Sequence, residues 1–421
     1  MKKFTIVALA ICLAFALAAP VMAVDADFSG AYRVRGSYVS HWDLSTRSAS
    51  QSFMNMRFRL QTVFKVSDIL SVTTRFDALD DQMFGEAVSA GNELNFDRAY
   101  MTIKSGIGDF NIGRMAGGGW GTTFLDTVSD YDRIKWNKTF DNLTLWLVFQ
   151  KNTESDYALG TANTERSSVA DLDSETYYFL AKYKMENTTS GLLLAFTNDK
   201  TSSSKNTKTY ATIPYFVSKF GPLAIQGELA YKWGQTAYDT TGSADLDIKK
   251  LAYNLEATYS FGPASVMAGY AFLSGDNNTS DSENGAYGNV GGDWEKLFIL
   301  TTNEIPALKD LGGVGNLSGD GSATNGAKIM YGGATFSPLD NLKVGFVIGK
   351  ADADELASGN SKDDFGVEYD FTLNWKIYDN LTYTAIAAFL SAGDLYKEQG
   401  SIDTADFDDT YALFHQLQLS F

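Results

Sequence analysis

The segment MNMRFRLQTVF, residues 54–64, sorts cleanly by parity. Met54, Met56, Phe58, Leu60, Thr62 and Phe64 fall on one side, and Asn55, Arg57, Arg59, Gln61 and Val63 on the other. Alternation with period two is the signature of a β-strand whose faces meet different media. Here one face is apolar and the other carries two guanidinium groups. The pattern recurs in KLAYNLEATYSF (250–261), in LAIQGELAYKW (223–233) and in DFGVEYDFTLNWK (364–376), where Phe365, Val367, Tyr369, Phe371, Leu373 and Trp375 oppose Gly366, Glu368 and Asp370.

Two architectures use such strands. A soluble sandwich turns its apolar face inward, whereas a transmembrane barrel turns it toward lipid around a polar lumen. Most candidate strands here are about ten residues or longer, the length a tilted strand needs to cross a bilayer, while sandwich strands are nearer five or six. Their connections alternate short and long. VSDI, SGIGD, NKTFDN, KFGP and IYDN are tight, whereas 41–51, 81–93, 116–129, 153–174, 199–207, 235–248, 275–326, 351–362 and 392–407 are long. Tight periplasmic turns and long extracellular loops give this asymmetry. The expected fold is all-β, a transmembrane antiparallel up-and-down barrel of roughly 16–18 strands.

The N-terminus fits export. Lys2 and Lys3 precede an apolar core that ends at Val21 and Ala23, so residues 1–23 are expected to be a cleaved secretory signal and 24–421 the barrel. Cys12, the one cysteine, lies inside that signal. Removing Lys2 and Lys3 takes the formal charge from −17 to −19. So acidic a chain argues against nucleic-acid partners. The remainder has no apolar run of 18 residues, so no spanning helix is expected.

The last strand, TYALFHQLQLSF, alternates Tyr411, Leu413, His415, Leu417 and Leu419 and stops on Phe421. It resembles Gram-negative outer-membrane barrels, in which a closing strand with a terminal Phe is the signal read by the barrel assembly machinery.

All ten arginines precede residue 167. By parity Arg33, Arg35, Arg57, Arg59, Arg75, Arg98, Arg133 and Lys135 fall on the luminal side of the first six strands. An arginine on the lipid face would cost about 2–4 kcal/mol near midplane. Arg114 breaks parity with Phe110 and Ile112, which calls for a bulge at Gly113 or a place at the rim. After the fifth strand comes AGGGWGTTFLDTVSDYDR, with Trp120, Phe124, Asp126, Asp130 and Asp132.

Residues 94–137 resemble general bacterial porins, in which a strand ends in a Gly-Arg pair (here Gly113-Arg114) and the third loop folds into the barrel. That resemblance implies a constriction. Acidic loop groups, with Asp126 and Asp130 as candidates, would face Arg57, Arg59, Arg75 and Arg98 across a water-filled gap. It also implies a homotrimer in the outer membrane, with the bilayer and lipopolysaccharide as surroundings. An arginine wall favours anions, because guanidinium matches carboxylate and phosphate and stays charged.

Other signals are weaker. KADADELASGNSKDD (350–364) and DTADFDD (403–409) have carboxylates suited to Ca²⁺ but lack the spacing of a calcium loop, and no other cofactor is indicated. The apolar piece DWEKLFILTTNEIPALKDL, residues 293–311, is expected to fold over the mouth or to contact a neighbour. The two histidines, His41 and His415, have no nucleophile near them in sequence, and GGGWG lacks the Lys-Ser/Thr ending of a phosphate loop, so no enzyme chemistry is expected. The expected function is passive diffusion of small hydrophilic solutes and ions. The alternatives are a substrate-specific 18-stranded channel for carboxylates or sugars, and a plugged adhesin.

Overall fold

The computed structural model describes residues 24–88, 94–126, 129–154, 172–202, 204–239, 244–278, 281–288, 290–291, 293–301, 325–356, 361–398 and 406–421. The expected signal segment and Arg166 lie outside the described residues.

The chain is almost entirely strand. In order it forms β1 (Asp25–Val39), β2 (Gln51–Lys65), β3 (Leu70–Met83), β4 (Asn95–Ser105), β5 (Gly108–Ala116) and β6 (Asp130–Phe140). Next come β7 (Leu143–Thr153), β8 (Ser174–Lys184), β9 (Thr188–Ser202), β10 (Lys205–Phe220), β11 (Leu223–Tyr238), β12 (Leu246–Phe261) and β13 (Ala264–Leu273). After the two-residue β14 (Glu283–Asn284) and the single turn α1 (Phe298–Thr301) follow β15 (Ala327–Leu339), β16 (Leu342–Asp352), β17 (Asp364–Tyr378) and β18 (Leu381–Ala392). The single turn α2 (Leu395–Glu398) leads to β19 (Thr410–Ser420). Setting β14 aside, each strand pairs antiparallel with its chain neighbours, and β1 pairs with β19, so eighteen strands close into a barrel.

The outward face is the one the alternation marks. Leu147, Leu255, Phe371, Leu413 and Leu417 are exposed there. Aromatic rings collect at both ends, as in barrels that meet two membrane interfaces. Toward the extracellular side Tyr177, Phe196, Tyr210 and Trp233 contact in series, with centroids 6.4, 5.0 and 5.7 Å apart. Phe140, Tyr183, Phe220, Phe261 and Tyr378 stand exposed beside the periplasmic turns.

Two expectations change. Residues 199–207 read as a long loop because they are polar on both parities, yet β9 and β10 run through them to Ser202 and from Lys205. A strand that rises above hydrocarbon has water on both faces, so it no longer alternates. The inner face is also not uniformly polar. Ile329, Phe365, Leu390 and Ala412 have no exposed surface, and Phe414 is buried with them. Phe365 shares sequence parity with outward Phe371, but a register shift at Ala351/Asp352 and the positive φ of Gly366 (115°) turn it inward. These residues join an apolar cluster inside the barrel with Phe124, Trp294, Leu297, Phe298, Ile299 and Leu300. The core therefore sits in the lumen, where loops enter, rather than between two layers.

Leu147→Arg, at an outward site in mid-strand, should lower stability by about 2–4 kcal/mol, while Leu147→Val stays near wild type. Urea titration of protein refolded into lipid vesicles reads both.

Candidate functional site

The luminal arginines begin as an electrostatic problem. Arg33 faces Arg57 across β1/β2, and Arg75 faces Arg98 across β3/β4. Directly opposed like charges repel. Five aspartates resolve the repulsion. Arg33 Nη2 donates to Asp81 at 2.7 Å, and Arg57 lies 3.7 Å from both Asp77 and Asp80. Arg59 forks onto Asp77 through Nε at 2.7 Å and Nη2 at 2.5 Å. Arg75 bridges Asp97 at 3.1 Å and Asp130 at 2.7 Å, and Arg98 Nε donates to Asp130 at 2.6 Å.

Bulges aim several of these acids. Opposite Arg57 the register slips between Met56 and Phe58, and Leu79 and Asp81 hold positive φ (55° and 50°). That strain turns Asp80 and Asp81 toward the arginines. A second slip, between Arg75 and Phe76 on β3, falls opposite Asp97, which joins the ladder. The acids thus lie within the same wall as the bases. Asp130 is the first residue of β6 and bonds the arginines directly, rather than facing them from the third loop across a gap.

The third loop crosses the lumen instead to the opposite wall. Thr122 donates from its backbone N–H at 2.9 Å and its hydroxyl at 2.6 Å to Glu228 Oε2 on β11. Trp120 Nε1 donates to the Ile213 carbonyl of β10 at 3.2 Å. Asp126 closes the loop on itself by accepting from Gly119 N–H at 2.7 Å. Gly121, at φ 74°, lies where an added Cβ would fall 2.5 Å from Glu228 Oε1. Phe124 is fully buried against Trp294 at 5.3 Å.

Trp294 belongs to a second loop inside the barrel. Residues 293–301 dock on the inner face of β17. Phe298 N–H donates to Asp370 Oδ2 at 2.9 Å, and Ile299 and Leu300 N–H donate to the two oxygens of Glu368 at 2.5 and 2.9 Å. Lys296 anchors the other flank through Glu256 at 2.7 Å. Residues 302–311 of the piece expected as a lid or neighbour contact lie outside the described residues.

Between the third loop and the β6–β10 wall a cavity of about 560 Å³ remains. Arg133, Lys135 and Lys182 line it with Trp120, Trp146 and Tyr178. Arg133 bonds neutral oxygens, Gln150 Oε1 at 2.7 Å and the Gly117 carbonyl at 2.8 Å, and its guanidinium lies over Tyr178. Lys182 Nζ sits 5.2 Å over Trp146. A neighbouring space of about 430 Å³ shares Arg133, Trp120 and Tyr178 and adds Lys232, Asp126 and Glu228. Lys232 Nζ lies 4.3 Å over Tyr287. Among the described residues no carboxylate lies within ion-pair distance of Arg133, Lys135, Lys182 or Lys232.

The expected wall therefore divides. Arg33, Arg57, Arg59, Arg75 and Arg98 form the compensated ladder. Arg35 donates to Gln416 at 2.8 Å near Phe414. Arg133 and Lys135 belong to the cavity. Arg114 belongs to neither. β4/β5 pairing runs through Gly113 without a slip, which leaves Arg114 on the outward parity in an exposed pair with Asp132 at 3.2 Å. Phe421 pairs with Gly30 through reciprocal backbone bonds of 2.8 and 3.0 Å. The sequence reading puts Glu228, Lys232 and Glu368 on polar strand faces but gives them, Lys182 and Trp294 no place in the site, because each meets a partner far along the chain.

Asp77 is 1% exposed and keeps only the longer 3.7 Å contact to Arg57, so Arg59→Gln should destabilise, by less than the loss of about 3–5 kcal/mol for a buried carboxylate left with no partner. Arg59→Gln with Asp77→Asn should recover most of that loss in the same urea titration.

A family profile described as Gram-negative porin matches residues 7–386. By sequence, no curated protein matches the chain. Among solved structures, the chain is similar to Pseudomonas aeruginosa OccK2 (OpdF), solved in complex with glucuronate, at TM-score 0.55 and 12% identity over 94% of this chain and 97% of that one. It is also similar to OccK11 (OpdR) of the same organism, at TM-score 0.54 and 13% identity over 94% and 96%. The outer membrane protein opdK, again from Pseudomonas aeruginosa, gives 0.52 and 12% over 94% and 99%. At such identities these likenesses carry the fold alone. With a profile that spans most of the sequence and eighteen strands closed around a lumen, the chain belongs to the Gram-negative porin family, the channels of the outer membrane.

Proposed function

We propose that this porin is a selective channel for small anions whose path runs between the third loop and the β6–β11 wall. The observation that carries this reading is the contrast between two sets of cations. Arg33, Arg57, Arg59, Arg75 and Arg98 are matched by aspartates, so that ladder presents little net field. Arg133, Lys182 and Lys232 contact neutral oxygens or rings, and among the described residues neither they nor Lys135 has a carboxylate within ion-pair distance, so their charge is available to a solute. Cations of one sign lining a narrow passage with low-dielectric walls focus potential and favour anions.

A general diffusion pore needs an open lumen. Residues 290–291 and 293–301 pack with the third loop and fill the β15–β19 side, which supports the narrower, selective reading.

Planar-bilayer recording tests it. In a KCl gradient the wild type should reverse on the anion-selective side. Lys135→Gln with Lys182→Gln should move the reversal potential toward cations, and no movement would sink this reading. Replacing residues 290–301 by a glycine-serine link should raise single-channel conductance and weaken selectivity, because a wider aqueous path screens the wall charges.

A further inference from the structure

Resting on the anion-channel reading, we propose that the cavity walled by Arg133, Lys135, Lys182, Trp120, Trp146 and Tyr178 is a binding site for aryl carboxylates. Three observations select this class of solute. The first is charge: three cations with no carboxylate partner among the described residues converge on about 560 Å³, room for one substituted ring. A carboxylate there satisfies the ammonium and guanidinium donors with charge-assisted hydrogen bonds.

The second is the fixed aromatic frame. Trp120 meets Tyr215 edge-on at 5.0 Å and 83°, and Trp146 at 6.4 Å and 87°. Its indole N–H is tied to the Ile213 carbonyl. Gly191 clears the space, since a Cβ there would lie 2.7 Å from Trp120 Cη2 and 2.4 Å from Tyr215 Cε1. A rigid edge-on set leaves ring faces and edges for a flat guest, the arrangement aromatic pairs prefer.

The third is what the lining lacks. No Asp, Glu, Asn or Gln side chain is among the residues that wall this cavity; beside the cations and rings stand Val148, Leu180, Leu193, Val217 and the glycines 117–119, and the hydroxyls of Thr189, Tyr178 and Tyr215 are the few side-chain oxygens it offers. A sugar acid would bring hydroxyls that need acceptors, and buried hydroxyls without partners are disfavoured. An aryl carboxylate brings one charged end and an apolar body, which is the division the lining offers.

The test uses the full-length protein in planar bilayers, with reversal potential in a KCl gradient and current block measured on the same channels. Benzoate, glucuronate, cyclohexanecarboxylate and benzylamine serve as probes. Benzoate should block at concentrations at least about tenfold below glucuronate and several-fold below cyclohexanecarboxylate, while benzylamine does not block. Lys182→Gln should weaken benzoate block about tenfold and Lys182→Arg should restore it, which separates loss of binding from loss of folding. Trp146→Leu should abolish the preference for benzoate over cyclohexanecarboxylate. Glucuronate block equal to or stronger than benzoate block overturns the proposal. Anion selectivity with no benzoate block overturns it while leaving the anion channel standing, and cation selectivity overturns both.

Discussion

Hydrocarbon offers no partner to a backbone N–H or carbonyl, and every other feature of this protein depends on that. A sheet in such a solvent must close. Here closure falls between β1 and β19, in unbroken register from Ala31 opposite Ser420 to Val39 opposite Ala412. Phe421 extends the seam by its two bonds with Gly30. Once the sheet is closed, every strand has a lipid side and a luminal side, and the alternation of side chains becomes a map of solvents.

The same closure creates the electrostatic task. Arginines barred from lipid crowd onto the inner wall, where Arg33 and Arg57 stand opposed. The protein resolves this by interleaving aspartates, and accepts strained backbone at Leu79 and Asp81 to aim two of them. The resulting ladder is a rigid wall. Among the described residues, the luminal cations Arg133, Lys135, Lys182 and Lys232 of β6, β8 and β11 have no carboxylate within ion-pair distance.

Two loops turn the barrel from a pipe into a shaped passage. Each enters through buried hydrogen bonds to luminal carboxylates: the third loop to Glu228, the second insertion to Glu368 and Asp370. They meet each other where Gly291 N–H donates to the Phe124 carbonyl at 2.6 Å, and where Trp294 packs on Phe124. Their apolar side chains account for the greasy inner surface of β15–β19, which a water-filled lumen would not tolerate. One side of the lumen is thus a small folded core, and the other remains lined by charge and aromatic rings.

The strands were legible because each alternates against one lipid face, a period-two signal repeated from β1 to β19. Luminal placement of Arg57 and Arg59 was legible for the same reason, as was the entry of the third loop by resemblance to porins. What alternation could not reveal was pairing. Asp80 and Asp81 reach the arginines through a bulge, and a bulge is a property of two strands together. Arg114 shares the parity of Phe110 and Ile112, and only the unslipped β4/β5 pairing and Asp132 beside it decide between a bulge and the outer rim. Glu228 lies 106 residues from Thr122, and Glu368 lies 68 from Leu300. Local periodicity reports which solvent a side chain faces, so the sequence by itself determined the barrel and its two surfaces. Which charges neutralise one another depends on distances closed only when the sheet does, so the tertiary structure alone decided which luminal cations have an acid beside them.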